Sequence, residues 1–246
     1  MIHHDNTLDR CTNGSGKLLE HEEADITALD AGSHYSADFA GERIPLLIEL
    51  LECCRELALG LILEVKNVTE HSDDVPTAQE AAMEEELTDV VCAVIMSSKF
   101  PAHKLMFCSY SRTIIGILRR TLPHIPCVFN VKDIPRDWST FVDEHKCSAV
   151  SFWHASRTAT REQITAMAME VPLLSFTVND KDRALELTTW GVSAIYTDYP
   201  AEIEASLAKA LDSPSMRGRS MPRAKSWKDL SLDSVVDGAL AFAPPS

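Results

Sequence analysis

PLLSFTVNDKDRALELTTWGVSAIYTDYPAEIEASLAKAL, residues 172–211, alternates twice between two kinds of segment. Pro172 to Val178 and Val192 to Thr197 are apolar runs of strand length, each closed by polar or turn residues. Asp180 to Trp190 and Ala201 to Leu211 carry apolar residues at helical period. Strand then helix, repeated, predicts a parallel sheet with helices packed outside it.

The alternation continues toward the N-terminus. Strand-length runs stand at Leu59 to Val65 (LGLILEV), Lys104 to Cys108, Ile125 to Val131 and Ser148 to Phe152. Helical stretches stand at Pro45 to Leu59, Thr77 to Ser98, Arg112 to Thr121 and Thr160 to Glu170. Pro45 suits a helix start, and Thr160 to Gln163 reads as a capping box. The sum is six core strands. An open α/β sheet can use six, whereas a closed (β/α)8 barrel needs eight.

Two regions stand outside the pattern. Residues 1–44 are polar, rich in Gly, Asp and Ser, and read as an ordered loop region. Residues 213–246 carry Arg217, Arg219, Arg223, Lys225 and Lys228 among Ser, Pro and Gly, and read as a basic mobile tail with a short helix at Leu230 to Phe242. The domain reading is therefore 1–212 for the barrel-type domain and 213–246 for the tail.

A net charge of −14 argues against a partner held by its phosphate backbone, since nucleic-acid binders concentrate Lys and Arg. It leaves room for a small phosphorylated substrate, because a few local cations reverse the sign within a pocket. The seven cysteines are odd in number, form no C-x-x-C and mostly lie in apolar runs. They read as buried reduced thiols, not a zinc site. No apolar run approaches membrane-spanning length and MIHHDNTLDR is no signal peptide, so a soluble, cytoplasmic protein is expected.

Parallel-barrel enzymes keep their chemistry at the carboxyl ends of strands. The first run ends Glu64-Val65-Lys66, and residues two apart on a strand share a face. A carboxylate beside an ammonium can hold a metal and a phosphate together, or form an interior salt bridge; spacing weighs the two equally. Ser109 to Ser111, Thr177 to Asp180 and Thr197 to Pro200 supply polar strand ends that suit a phosphate or polyol, or a turn or helix cap. His3, His4, Asp5, Asp9 and Arg10 crowd the first ten residues. A histidine there can serve as general acid or base, or be a loop histidine held by Asp5.

Order and spacing narrow the choice. His4-Asp5-x-Thr7-Leu8-Asp9-Arg10-x-Thr12-Asn13-Gly14-x-Gly16 resembles the signature loop of glycerophosphodiester phosphodiesterases, closest to the bacterial cytosolic type. Leu29-Asp30-Ala31-Gly32-Ser33, Phe39-x-Gly41-Glu42-x-Ile44-Pro45-Leu46, Glu64-Val65-Lys66, Thr177-Val178-Asn179 and Gly191 to Pro200 follow in the family's order.

The resemblance implies a TIM-type (β/α)8 barrel, with six of its eight core strands in this chain. It also implies hydrolysis of glycerophosphodiesters, the deacylated phospholipids, to an alcohol and sn-glycerol 3-phosphate. His4 looks like the second of the family's two catalytic histidines, Glu64 like its third metal-binding carboxylate, and Lys66 like the lysine that contacts the phosphate. Phe176 stands where the family has Trp, keeping an apolar wall in the substrate site without the indole donor. The implied cofactor is a divalent cation, Ca2+ or Mg2+. The implied partner is a small glycerophosphodiester, with no nucleic acid and no membrane insertion. The family's His-Arg-Gly and Glu-x-Asp strand ends do not occur here, so one histidine and two metal carboxylates are expected to be missing and the chain to begin inside a family domain. Three readings follow: the phosphodiesterase, a catalytically inactive remnant that binds glycerophosphate or a partner, and a phospholipase-D-like lyase branch of the same superfamily.

Overall fold

The computed structural model describes residues 1–69 and 76–213; the tail reading therefore lies outside the described residues. The chain divides into two compact units, residues 1–57 with 93–100, and residues 58–92 with the part from 101 onward.

The first unit is loop-rich, as its composition predicts. Its apolar centre is Leu8, Ile26 and Ile44, with Leu18, Leu29 and Ala31 packed against them. It holds a five-residue helix, α1 (Glu23–Thr27), and α2 (Leu47–Glu56). Helix α2 starts two residues after Pro45 because the Glu49 carboxylate accepts the backbone N–H of Leu46 at 2.7 Å, satisfying one of the donors a helix start leaves open. Leu8 donates to Gly16 and Leu18 to Asn6, both at 2.9 Å, so the signature loop closes on itself as a short ladder.

The second unit carries one sheet of six parallel strands: β1 (Leu61–Glu64), β2 (Leu105–Ser109), β3 (Cys127–Val131), β4 (Ala149–Trp153), β5 (Leu173–Phe176) and β6 (Ala194–Ile195). Spatial order follows chain order. A doubly wound sheet reverses its order at a switch point and places helices on both faces. An order that never reverses, with right-handed crossovers, puts every helix on one face, as in a barrel. The helices are α3 (Ala78–Ser97), which spans the boundary between the units, then α4 (Arg112–Thr121), α5 (Trp138–His145), α6 (Arg161–Ala168), α7 (Lys181–Trp190) and α8 (Pro200–Leu211).

Helix α5 was not expected from the sequence. It has eight residues and buries only Phe141, too short a stripe to register as a period. Thr160 does cap α6, accepting from the N–H of Gln163 at 3.3 Å. Strand β6 is shorter than its apolar run, although Tyr196 still donates to Ser175 and accepts from Val178 beyond its end.

Register separates the two faces. Glu64 pairs with Cys108, Cys108 with Val128, Val128 with Ala149, Ser151 with Leu174, and Leu174 with Ala194. Met106, Cys108, Val128, Ala149, Leu174 and Ala194 form one continuous buried cluster, with Ile62 and Tyr196 against it. This is the inner face. The alternate residues, among them Phe107, Phe129 and Phe152, lie on the helix side, where Ile114, Leu118, Ile164, Leu187 and Ile203 are also buried. Burial on both faces explains why these strands read as continuous apolar runs.

Candidate active site

Glu64 ends β1 on the inner face, and Lys66 follows two residues on. Their side chains form an ion pair, Nζ to Oε2 at 3.0 Å, with about a quarter of the carboxylate and a third of the ammonium side chain exposed. That pairing uses one carboxylate oxygen. The other, Oε1, is buried with no hydrogen-bond partner. Lone buried carboxylate oxygens are costly, and they occur where a ligand or ion belongs.

Three more inner-face residues share this condition. Asn130 Oδ1 on β3, Ser151 Oγ on β4 and the Tyr196 hydroxyl just beyond β6 are buried and unpartnered. Tyr196 phenol ionisation is pushed well up by burial, then by Cys108, opposed by Ser151, and raised further by Glu64 and Tyr110. The Cys108 thiol is pushed up to about 12, first by burial and then by Glu64. Both groups therefore stay protonated at neutral pH, and the hydroxyl is available as a donor.

Phe176 ends β5 on the same face. Its ring meets Tyr110 edge-on, centroids 6.1 Å apart at 84°. Trp153 is its register partner on β4 and remains 37% exposed. An aromatic rim thus borders the polar positions, the mix of apolar wall and few polar groups that ligand sites use.

Glu84 of α3 is fully buried. Its carboxylate accepts from Ser111 Oγ at 2.5 Å and from the Val68 N–H at 3.3 Å. Ser111 in turn caps α4 by accepting from Ile114 N–H at 3.2 Å. Helix α3 therefore pins the loops that follow β1 and β2.

His4 belongs to the other unit. Its ring Nδ1 lies 2.6 Å from Asp5 Oδ1, and Arg10 donates to both Asp5 oxygens at 2.6 and 2.7 Å. The Arg10 bonds, then His4, hold the Asp5 carboxyl well below the usual carboxylate range despite partial burial. With Nδ1 tied to a carboxylate and the side chain 72% exposed, Nε2 is the nitrogen presented to solvent. A carboxylate-oriented imidazole of this kind suits proton transfer.

The remaining signature residues are structural. Asp30 accepts from Gly32 N–H, Ser33 N–H and Gly41 N–H at 2.9 Å and from Ser33 Oγ at 2.6 Å. These bonds, Ser33 first, keep its carboxyl ionised to unusually low pH. A Cβ on Gly32 would lie 1.9 Å from the Phe39 carbonyl oxygen, so only glycine fits there.

Glu64 and Lys66 thus share one face of the sheet, as the spacing predicts; Phe176, expected from the resemblance, lies on that face too, and His4 stands in its own carboxylate network. Asn130, Ser151, Tyr196 and Glu84 were missed. For the first three the signal was present: each sits two residues from an inner-face apolar residue, in phase with Glu64. Among the described residues, no group of three or more His, Cys, Asp or Glu side chains is placed to hold a metal ion. Hard cations take six or more oxygens, so Glu64, half engaged by Lys66, does not make such a site by itself. No helix among the described residues is long and apolar enough to cross a membrane.

Residues 1–202 match the glycerophosphoryl diester phosphodiesterase family. A glycerophosphodiester phosphodiesterase of Bacillus subtilis is 26% identical over 212 residues, covering 81% of this chain and 69% of that protein. In structure, the chain is similar to a phosphodiesterase of Oleispira antarctica solved with the product sn-glycerol-3-phosphate: TM-score 0.71, 27% identity, 84% of this chain and 78% of that one. A glycerophosphodiester phosphodiesterase of Parabacteroides distasonis, at 17% identity and TM-score 0.67 over 85% and 78% of the two chains, shares the fold.

Proposed function

The chain belongs to the glycerophosphoryl diester phosphodiesterase family, and from that premise we propose that it hydrolyses glycerophosphodiesters to an alcohol and sn-glycerol 3-phosphate. The observation that carries this is the Glu64–Lys66 pair at the carboxyl end of β1, on the sheet face opposite the helices. A phosphodiester is an anion, and Lys66 supplies a cation at the place where parallel barrels do their chemistry. The named relatives and the product found in the Oleispira antarctica protein support the substrate class.

Lys66 is assigned the phosphate contact. Glu64, paired with Lys66 at 3.0 Å, keeps the ammonium aimed. Phe176 is assigned an apolar wall for the substrate. His4 is assigned proton transfer: the bond from phosphorus to the alcohol oxygen breaks, and His4 Nε2 returns a proton to that oxygen. Water supplies the new oxygen on phosphorus and gives up one proton to solvent, and a proton from solvent restores the one that His4 donated, so atoms and charge balance. Asp5 keeps the His4 ring oriented. For the Ca2+ or Mg2+ implied by the resemblance, no group of three or more His, Cys, Asp or Glu side chains is gathered among the described residues, and Glu64 with Lys66 on one oxygen does not fit by itself, so no step is routed through a metal.

The test is an assay of purified protein with glycerophosphocholine, with and without added Ca2+ or Mg2+, reading sn-glycerol 3-phosphate. The expected result is product release that falls at least about 100-fold in His4→Gln and in Lys66→Met. No release under any of these conditions, or release indifferent to both substitutions, refutes the proposal.

A further inference from the structure

Three serines lie fully buried in the sheet: Ser109, Ser151 and Ser175. Ser109 Oγ donates to the Val65 carbonyl at 2.7 Å, and Ser175 Oγ to the Phe152 carbonyl at 3.0 Å. Each thereby satisfies its hydroxyl on the neighbouring strand. Both lie on the helix side of the sheet. Ser151 lies on the inner face and has no such partner.

Asn130 is its register partner on β3, 7% exposed, with Oδ1 likewise unpartnered. Continuing the register, Lys66 aligns with Tyr110, and Tyr110 with Asn130 and Ser151. The row therefore runs from a cation on the β1 side to neutral hydrogen-bonding groups on β3 and β4. The row continues through Leu174 to Ala194, and Tyr196 stands one inner-face position beyond: its ring packs on the apolar cluster, and its buried hydroxyl reaches toward Ser151 without a close hydrogen bond.

Ser151 and Tyr196 reach only each other and Asn130 reaches only the Cys108 thiol, none of them within close hydrogen-bond distance; an apolar site would not keep three polar groups so poorly satisfied, since each costs free energy. Small inner-face neighbours, Ala149 and Ala194, sit one step before Ser151 and Tyr196 on their strands. The arrangement offers an acceptor at Asn130 and donor–acceptor hydroxyls at Ser151 and Tyr196. A ligand hydroxyl, itself donor and acceptor, matches that set. A second anion does not, because it would face Asn130 Oδ1.

We propose that Asn130, Ser151 and Tyr196 form a hydroxyl seat that holds the uncharged polyol portion of a phosphate ester whose phosphate lies at Lys66. The three residues thereby set specificity for a hydroxylated phosphate over a plain alkyl phosphate. The inference rests on the phosphate assignment of Lys66 made above.

The experiment is calorimetric titration of the full chain with two ligands, sn-glycerol 3-phosphate and ethyl phosphate, which share the anion and differ in hydroxyls. The wild type is expected to prefer sn-glycerol 3-phosphate by about tenfold. Tyr196→Phe and Ser151→Ala each remove one hydroxyl and little else. In each, the preference is expected to fall to about threefold or less, with ethyl phosphate affinity unchanged within about twofold. Two independent variants keep the test alive if one fails to fold. Equal affinity of the wild type for both ligands, or a preference that survives both substitutions, overturns the seat and leaves the Lys66 assignment standing. Absence of binding by either ligand to the wild type overturns both together.

Discussion

Gly32→Ala is the most demanding test of the signature region. The added Cβ would sit 1.9 Å from the Phe39 carbonyl oxygen and 2.9 Å from Glu42 Cβ. Real Cβ contacts begin near 3.0 Å, so the turn has to open by about 1 Å. The Phe39 carbonyl accepts from Glu42 N–H at 3.1 Å, and Glu42 accepts from Ala31 N–H at 2.7 Å, so the displacement breaks backbone bonds as well as contacts. Overpacking costs about 1–3 kcal/mol and a lost backbone bond about 1, so the expected loss is about 3 kcal/mol. Gly41→Ala is the control. Gly41 has φ +87 but no atom within 4 Å of an added Cβ, so only the left-handed penalty of about 1 kcal/mol applies. Urea unfolding of both variants gives the comparison, and proteolysis across residues 30–42 locates the change. Equal losses in the two variants, or a smaller loss in Gly32→Ala, would show that close packing on Phe39 is not what demands glycine.

Three further outcomes are expected. Asp5 has a folded-state pKa depressed below its unfolded value near 3.8, so its contribution is present above that value and is lost as pH falls through the depressed one; Arg10→Met removes the main cause, and the acid unfolding midpoint followed by circular dichroism should move to higher pH. Ser111→Ala removes both the helix cap on Ile114 and the 2.5 Å bond to the fully buried Glu84, and should cost about 3 kcal/mol by urea unfolding; a loss under about 1 kcal/mol would mean Glu84 is held by other groups. Lys66→Met should abolish saturable binding of inorganic phosphate in calorimetry, while the same titration of Arg161→Met, an exposed residue at the start of α6, should match the wild type.

Much of the architecture was legible in the chain because apolar runs of strand length and helical stripes alternate without interruption. Burial on both faces of a parallel sheet writes a continuous apolar run, and all six strands were found from such runs. Helix α5 escaped because one buried Phe141 in eight residues leaves no period to read. Glu64 and Lys66 could be placed on one face because strand alternation is local, whereas Phe176 was marked only by its place in a family motif. The role of Asp30 was not visible: its partners Gly41 and Gly32 are tied to it by a turn that only the folded loop displays.

The sequence by itself determined the family, the strand order's raw material, and the identity of His4, Glu64 and Lys66 as chemical candidates, since motif order and two-residue spacing are properties of the chain. The tertiary structure decided which polar groups count. Ser109, Ser151 and Ser175 look alike in sequence, yet two are satisfied on the helix side and one is left unpaired on the inner face beside Asn130 and opposite Tyr196. Glu84, one acidic residue among several in α3, became a buried anchor for Ser111. Hydrogen-bond satisfaction depends on neighbours from other strands, brought together by register across gaps of twenty or more residues, and no local pattern in the chain encodes it.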